Sequence, residues 1–568
     1  MRAKLVLTAT IALLSAGCQG GIGDGSPQSG NGNAQPGSGG GASGAGGNIG
    51  KTACQASGSP VSVPSPLQRL SRSEYTQSTN DLLNDKRSVG QSLPVDDDSG
   101  DLGSGARSLI VTSDWLNQAM QAAEDLASTA IKSVTTLAPC AAGSADDACA
   151  RSFITSFGKR AYRRPVTPDE ITGLMGIYAM GKANADYSHG IELVIRAVLL
   201  SPAFLYKVEL GVPGSARNGI LRLTPYEVAT RLSFMLWGTT PGDDLLTLAD
   251  AGTLTSGSTL RDQAKKMMQD PRAREPLIGL HQRWLGVDGM ADVSRDPMVY
   301  PTFGPAMMAS MQAEAHDFLN DVIWNKGATL DTLFTSTSTV ADATVAALYA
   351  GQDGAGPGGT PAPLMLNPMQ RSGALTLPAL IATHTFADES EPVHRGKFVR
   401  ERLLCTTLPD PPANVMATPP VSIPGVSIRD RFAQHSSQPA CQGCHALMDP
   451  IGFGFEHYDG LGRWRDMEQG KPVDATGTIT MSMDVNGAFN GIPDLAHKLL
   501  GSEQVHDCVV STFVAMTRGA ETAADACLLS QVRSEFDAAK SDVRSILIAI
   551  AGSDSFLTRP LLAGEMAP

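Results

Sequence analysis

The sequence predicts a mainly α protein with several helical domains and one small β-hairpin. Apolar residues recur at helical spacing through most of the chain after residue 66, whereas stretches with a period of two are rare. Helix-start patterns repeat as well: Thr167 and Thr224 each stand directly before a proline, and Glu170 completes a capping box with Thr167. The hairpin is expected within 476–491, "TGTITMSMDVNGAFNG", where period-two spacing meets turn residues.

The first 18 residues have the pattern of an export signal. "MRAK" is positively charged, "LVLTATIALL" is apolar, and "SAGC" ends the segment. A cysteine after small residues resembles the bacterial lipobox, which predicts that Cys18 is the lipidated first residue of the mature chain. Gln19, in place of Asp, favours the outer membrane by resemblance to the common sorting rule. Ordinary secretion is the alternative.

The expected localisation is the cell envelope, at the periplasmic or cell-surface face of the outer membrane. Residues 19–50 are rich in Gly and Ser and predict a flexible tether. No apolar run of 18 residues follows Lys51, so the lipid is the only expected membrane contact. We expect an N-terminal helical domain at 51–145, a second at 146–215, a central one at 216–350, a cysteine-motif segment at 351–470 and a C-terminal helical domain at 471–568.

Charge and cysteine content restrict the function further. The chain has 44 Lys and Arg against 57 Asp and Glu, a net charge of -13, and no basic block, which argues against nucleic-acid binding. Export permits disulfides. Cys140 and Cys149 enclose a short polar loop and are the first expected pair, and Cys508–Cys527 is the second. Cys54 and Cys405 are then left without an assigned partner.

The motif that carries chemistry is "CQGCH", with Cys441, Cys444 and His445. A redox dithiol would need a βαβ setting, and a zinc site would need a second ligand pair; the sequence offers neither. Covalent haem c remains, with both thiols on one helical turn and His445 as the proximal iron ligand. The alternative is a structural disulfide or a bare thiol pair. One haem is therefore the expected cofactor, and its redox partner is not identified by the sequence.

Two explanations fit the charges that follow the motif. Arg463 and Arg465 could contact haem propionates, or they could form an internal Asp–Arg network with Asp449 and Asp459. The sequence favours the network slightly.

The segment "CQGCHALMDPIGFGFEHYDGLGRWRD" resembles the C-terminal signature of a bacterial family found in planctomycetes and myxobacteria. These are large exported proteins built from domains of unknown function, with a cytochrome-c-like segment. "LQRLSRSEYTQSTNDLL", "FGKRAYRRPVTPDE" and "LTPYEVATRLSFMLWGTTPGDDLL" resemble its earlier domains. The resemblance implies a small cytochrome-c-like helical domain within a helical body, and it implies no particular activity.

The second axial iron ligand is left open between His384 and Met483. His384 precedes the motif and agrees best with the resemblance, whereas a Met483 thioether in the hairpin would raise the reduction potential. An open or water-bound iron is the third alternative.

We expect an exported, lipid-anchored haem protein in electron transfer, whose helical body binds a partner or a polymer. The alternatives are a haem-dependent redox enzyme and a haem-free surface-binding or scaffold lipoprotein.

Overall fold

The computed structural model describes residues 67–96, 110–354, 358–408, 420–436, 439–518, 526–562 and 564–565. Within these ranges the protein is 61% helical, with 22 α-helices, and its strands form only two-stranded sheets, which confirms the mainly α fold class. The described residues all belong to one compact unit, Gly44–Pro568. No helix among them is long and apolar enough to cross a bilayer. The predicted signal, Cys18, the tether and Cys54 lie outside the described residues.

The first core is formed by helices between residues 70 and 205. These are α1 (Arg72–Leu83), α2 (Ser113–Ala130), α3 (Val134–Leu137), α4 (Asp147–Tyr162), α5 (Pro168–Asn184), α6 (Tyr187–Leu199) and α7 (Pro202–Leu205). Their apolar faces meet in one cluster, in which Ile154, Ile191 and Ile195 are fully buried. Capping boxes start α1 at Ser71 and α5 at Thr167. The predicted start of α5 is thus present, and apolar packing holds these helices together.

The second core begins with the central helices. They are α8 (Pro225–Trp237), α9 (Asp243–Asp250), α10 (Gly257–Met268), α11 (Arg274–Leu285), α12 (Pro305–Asn325), α13 (Leu330–Thr335), α14 (Ala343–Tyr349) and α15 (Pro378–Thr383). The motif segment follows with α16 (Pro392–Phe398), α17 (Ile428–Ser436) and α18 (Pro439–Gly452), and a π-helical turn, Val399–Leu403, extends α16.

Four C-terminal helices complete the second core. They are α19 (Gly491–Leu500), α20 (Glu503–Arg518), α21 (Ala526–Ala538) and α22 (Val543–Ala551). One apolar cluster runs from Leu223 to Leu557 and includes Phe398 and Ile451 of the motif segment. The motif helices therefore pack against a core that is formed mainly by the central and C-terminal helices. In a separate small cluster, Ile428 and Phe432 of α17 pack with Phe453.

The described strands form five antiparallel pairs, of which the first two join distant parts of the chain and the last two are local hairpins. They are β1 (Gln68–Arg69) with β2 (Tyr206–Lys207), β3 (Ile220–Arg222) with β10 (Thr558–Pro560), β4 (Ser338–Ala341) with β5 (Ala362–Met365), β6 (Met467–Glu468) with β7 (Lys471–Pro472), and β8 (Thr476–Ile479) with β9 (Gly487–Asn490). The last pair is the predicted hairpin. Its first strand lies against α18, because a Cβ added to Gly477 would lie 2.6 Å from the carbonyl oxygen of Pro450.

Candidate functional site

The motif cysteines and histidine lie on α18. Residues three and four apart on an α-helix share one face, so Cys441, Cys444 and His445 form one stripe. All three are partly buried, which places the stripe at the edge of the packed structure. Neither thiol takes part in the disulfides Cys140–Cys149 or Cys405–Cys508. Two thiols and one imidazole thus lie side by side on one turn of helix.

Helix α16 crosses α18 next to this stripe. A Cβ added to Gly452 would lie 1.7 Å from the carbonyl oxygen of Pro392, and one added to Gly396 would lie 2.0 Å from that of Met448. The two main chains therefore touch, and only glycine fits at either position. The crossing fixes the C-terminal half of α18 and hence the direction in which the stripe faces.

A buried arginine connects α18 with the β8–β9 hairpin. Arg400 is fully buried and donates from Nε to the carbonyl oxygen of Leu447 at 2.8 Å. The same guanidinium donates to the carbonyl oxygen of Thr480. The contact lies where α18 contains Pro450, which has no N–H to donate to the preceding turn. The carbonyl oxygen that loses its helical donor to Pro450 is that of Ala446, one residue before Leu447, so the bonds of Arg400 join the helix to the hairpin beside this interruption.

His445 has a carboxylate partner one turn further along α18. Its Nδ1 lies 3.0 Å from Oδ1 and 3.1 Å from Oδ2 of Asp449, whose side chain is buried. The hydrogen bond to Asp449 raises the pKa of His445 above its usual value. A histidine that gives its Nδ1–H to a carboxylate binds a metal through Nε2. The sequence analysis missed this pair, although the i, i+4 spacing on a helix signals it.

Arginines from three separate segments hold the loop that follows α18. Arg295, Arg371 and Arg395 donate to main-chain carbonyl oxygens within 455–462, at N···O distances of 2.8 to 3.3 Å. Arg371 and Arg395 are buried. The backbone of the loop is thereby attached to two connecting segments of the central region, at Arg295 and Arg371, and to α16 at Arg395.

Arg463 and Arg465 bind carboxylates of their own loop. Nε of Arg463 lies 2.6 Å from Oδ2 of Asp459, and Nη2 of Arg465 lies 2.9 Å from Oε2 of Glu456. Of the expected Asp–Arg network, the pair Arg463–Asp459 is present, whereas Arg465 pairs with Glu456 and Asp449 lies against His445. Contacts from Arg463 and Arg465 to haem propionates stay a prediction.

His384 lies on the side of α16 that faces away from α18. Its ring packs 4.8 Å from that of Phe398. Phe398 is two residues after Gly396, about 200° around the helix, and Gly396 is the residue that touches α18. Nδ1 of His384 lies 2.9 Å from the carbonyl oxygen of Leu380, and burial lowers the pKa of His384 to about 4.

Met483 lies in the loop that joins β8 and β9. Its side chain is half exposed, and its N–H donates to Oε1 of Gln504 at 2.8 Å. The loop begins at Thr480, which Arg400 ties to α18. Met483 is therefore carried by a segment attached to the motif helix, whereas His384 is separated from that helix by α16.

The two disulfides of the described chain are Cys140–Cys149 and Cys405–Cys508. The first has the expected partners, whereas the predicted Cys508–Cys527 bond is wrong. Cys508 lies within α20 and bonds Cys405, whereas Cys527 lies at the start of α21. Bonded cysteines need Cα atoms within about 7 Å. Cys405 follows the π-helical turn, and its Cα atom lies 5.3 Å from the Cα atom of Cys508.

The donor groups on α18 fit a covalently attached haem. Two thiols at this spacing can form thioethers, and an imidazole next to them, held at Nδ1, can bind iron through Nε2. Among the described residues, no group of three or more His, Cys, Asp or Glu side chains is arranged to hold a metal ion by itself.

A second candidate site is a cleft of about 700 Å³ where the two cores meet. Ser73 and Gln77 line it from successive turns of α1, and Gly279 and Arg283 line it from α11. A Cβ added to Gly279 meets no heavy atom of the described residues within 4 Å. The cleft is therefore open at that point of α11.

The charges of the cleft largely compensate each other. Arg69 pairs with Asp96 at 3.0 Å, and Lys207 pairs with Glu74 at 2.8 Å. A ligand of high net charge would have to separate such pairs, so the cleft suits an uncharged polar ligand.

Four segments of the chain match family models. Residues 68–132 match PSD3, described as a protein of unknown function (DUF1587), and residues 149–209 match PSD5 (DUF1595). Residues 223–350 match PSD4 (DUF1592), and residues 371–468 match PSCyt3 (DUF1588). The chain carries four domains of unknown function. Their arrangement is the planctomycete-type one that the resemblance predicted.

The PSCyt3 match includes all three motif residues of α18, and its name points to a cytochrome-like domain. Neither the curated proteins nor the solved structures gave a match. The family models therefore support a domain arrangement and a cytochrome-like segment.

Proposed function

We propose that this protein is an exported, lipid-anchored c-type haem protein that transfers electrons at the cell envelope. One observation carries the proposal: Cys441, Cys444 and His445 share one face of α18, and the buried carboxylate of Asp449 holds Nδ1 of His445. The name of the matching PSCyt3 model supports it.

Each residue of the stripe has one role in this proposal. Cys441 and Cys444 would hold one haem through thioether bonds, and Nε2 of His445 would be the proximal iron ligand. The haem, when bound, supplies one-electron oxidation and reduction. Asp449 keeps the imidazole in one tautomer and one orientation.

Met483, rather than His384, would supply a second ligand to the iron in this proposal. Its loop is attached to α18 through Arg400, whereas His384 packs on the far face of α16. Met483→Ala should remove the long-wavelength absorption band of methionine-ligated ferric haem, with His384→Ala as the matched comparison. If His384→Ala alone changes the spectrum, the assignment to Met483 is wrong.

Covalent haem is tested by expressing the mature chain in a host with c-type maturation machinery. After denaturing electrophoresis, only covalent haem retains its peroxidase stain. Cys441→Ser combined with Cys444→Ser should abolish the stain, and Cys527→Ser, outside the motif, should keep it. A mass increment of one haem should appear on the peptide that contains residues 441–445.

The iron spin state separates the remaining alternatives. Six-coordinate, low-spin iron is expected for electron transfer to or from a redox partner. High-spin iron with an open position would favour a haem-dependent redox enzyme. A wild-type protein without any stain would contradict the haem proposal and favour the scaffold lipoprotein.

The lipid anchor is tested at Cys18. Cys18→Ser should release the exported protein from membrane fractions, because a lipid is the only membrane contact proposed. A variant that is exported and stays membrane-bound would contradict the anchor.

We propose that the cleft between the cores is where the helical body binds an uncharged polar stretch of a partner or polymer. Gly279→Phe would add a ring on the side of α11 that lines the cleft, at a position where a Cβ meets no heavy atom of the described residues within 4 Å. Gly176→Phe on α5 is the matched control, because a Cβ there also meets no heavy atom of the described residues within 4 Å.

Native electrophoresis through gels that contain dextran or hydroxyethylcellulose tests the polymer alternative. Wild type and Gly176→Phe should be retarded, and Gly279→Phe should migrate as it does without polymer. Equal retardation of all three would show that binding does not use the cleft.

A further inference from the structure

Asp449 lies at a position where a helix does not favour a carboxylate. It belongs to the last turn of α18, which ends at Gly452, and the C-terminal end of a helix carries partial negative charge. The side chain is also buried, with 2% of its surface exposed. A carboxylate kept under both conditions requires a specific favourable contact.

His445 supplies such a contact. Both carboxylate oxygens of Asp449 lie within 3.1 Å of Nδ1 of His445. Because the pair is largely withdrawn from water, its electrostatic interaction is screened less than that of an exposed pair. The contact therefore changes the electron density of the imidazole ring as well as fixing the orientation of the ring.

The effect on a metal bound at Nε2 follows from charge. An imidazole that donates to an ionised carboxylate gains anionic character and becomes a stronger donor to the metal. A more anionic ligand stabilises ferric iron relative to ferrous iron. Hydrogen bonding to an axial ligand is one of the means by which a protein sets the potential of haem.

We infer that Asp449 is a positioning residue that acts through His445 to lower the reduction potential of the haem on α18. The inference rests on the proposed haem function and adds to it that this haem is held towards the oxidised state. It therefore suits transfer of electrons to an acceptor of higher potential.

The test is a redox titration of the matured holoprotein. Asp449→Asn keeps the size of the side chain and removes its charge. We expect the equilibrium constant for reduction to increase at least tenfold, which is about 59 mV for a one-electron couple. Asp494→Asn, an exposed carboxylate in the first turn of α19, is the matched control and should leave the potential unchanged.

The outcomes separate the inference from the haem proposal. If the wild type binds no haem, the haem proposal fails and this inference fails with it. If wild type and Asp449→Asn both carry haem at equal potentials, the inference is overturned while the haem proposal stands.

A second measurement covers the case in which Asp449→Asn does not accumulate. The iron–imidazole stretching frequency of the ferrous wild-type protein, without its second axial ligand, reports the anionic character of His445 directly. A raised frequency supports the inference, and the frequency of a neutral imidazole overturns it.

Discussion

The first core and the motif segment are held in place by different forces. Helices α1 to α7 meet through a continuous apolar cluster. The motif segment has a small cluster of its own, Ile428, Phe432 and Phe453, and it otherwise depends on the second core and on buried guanidinium groups. Apolar packing is distributed over many side chains, whereas each guanidinium makes a few directional bonds. A single substitution should therefore act locally in the motif segment and broadly in the first core.

The largest expected effect is that of Arg395→Met. Arg395 is buried and donates to Phe455, Tyr458 and Asp459 carbonyl oxygens and to the Thr385 hydroxyl. Methionine removes all four of these hydrogen bonds, at about 1 kcal/mol each, so we expect a loss of about 4 kcal/mol. Hydrogen exchange should accelerate in peptides that cover 453–466. Arg217→Met, at an exposed arginine, is the control, and equal exchange in both variants would contradict the role of Arg395.

Ile195→Ala tests whether a substitution in the first core has effects throughout that core. Ile195 is fully buried in α6, and its truncation leaves a cavity that should cost about 3 to 4 kcal/mol. Hydrogen exchange should accelerate across α2, α4 and α6 together, because these helices share one core. Acceleration confined to α6 would show that this core is not a cooperative unit.

Glu314 is a buried carboxyl group of the second core, and it should make the stability of the folded protein depend on pH. Burial raises the pKa of Glu314 to about 7, although Thr339 and Tyr349 donate hydrogen bonds to it. Between pH 4.5 and 7 the unfolded chain loses this proton and the folded chain keeps it, so folded stability falls as the pH rises. Relative to Glu314→Gln, the wild type should lose about 3 kcal/mol over this window. Denaturant titrations of both proteins at pH 4.5 and pH 7 measure the difference, and a constant difference would contradict the raised pKa.

The smallest expected effect concerns a helix start. Thr167 accepts a hydrogen bond from the Glu170 N–H in the capping box of α5. Thr167→Ala should cost about 1 kcal/mol. Thr172→Ala, at an exposed position of the same helix, is the control. Thermal unfolding of the two variants side by side tests the difference, and equal midpoints would mean that the cap contributes little.

Local spacing made part of this structure predictable. The caps at Thr167 and Thr224 and the stripe on α18 depend on residues within one or two turns of helix, and their positions follow from the sequence. The i, i+4 spacing of His445 and Asp449 is a local signal of the same kind, and it marks these two residues as a pair.

Contacts between residues far apart in the sequence could not be predicted from local spacing. Cys405 and Cys508 are separated by 103 positions, and parity and spacing alone led to the wrong pair. Arg295 and Arg371 reach a loop about a hundred or more residues further along the chain, and no local pattern marks such contacts. The cleft also needs both cores in place before its walls exist.

The glycine contact between α16 and α18 has a consequence for maturation. Because Gly396 and Gly452 bring two backbones together, the C-terminal half of α18 cannot move without displacing α16. The half with Cys441 and Cys444 is only partly buried. An enzyme that attached the proposed haem would therefore meet a helix that is anchored at one end and accessible at the other. We expect such an attachment to take place after this crossing has folded.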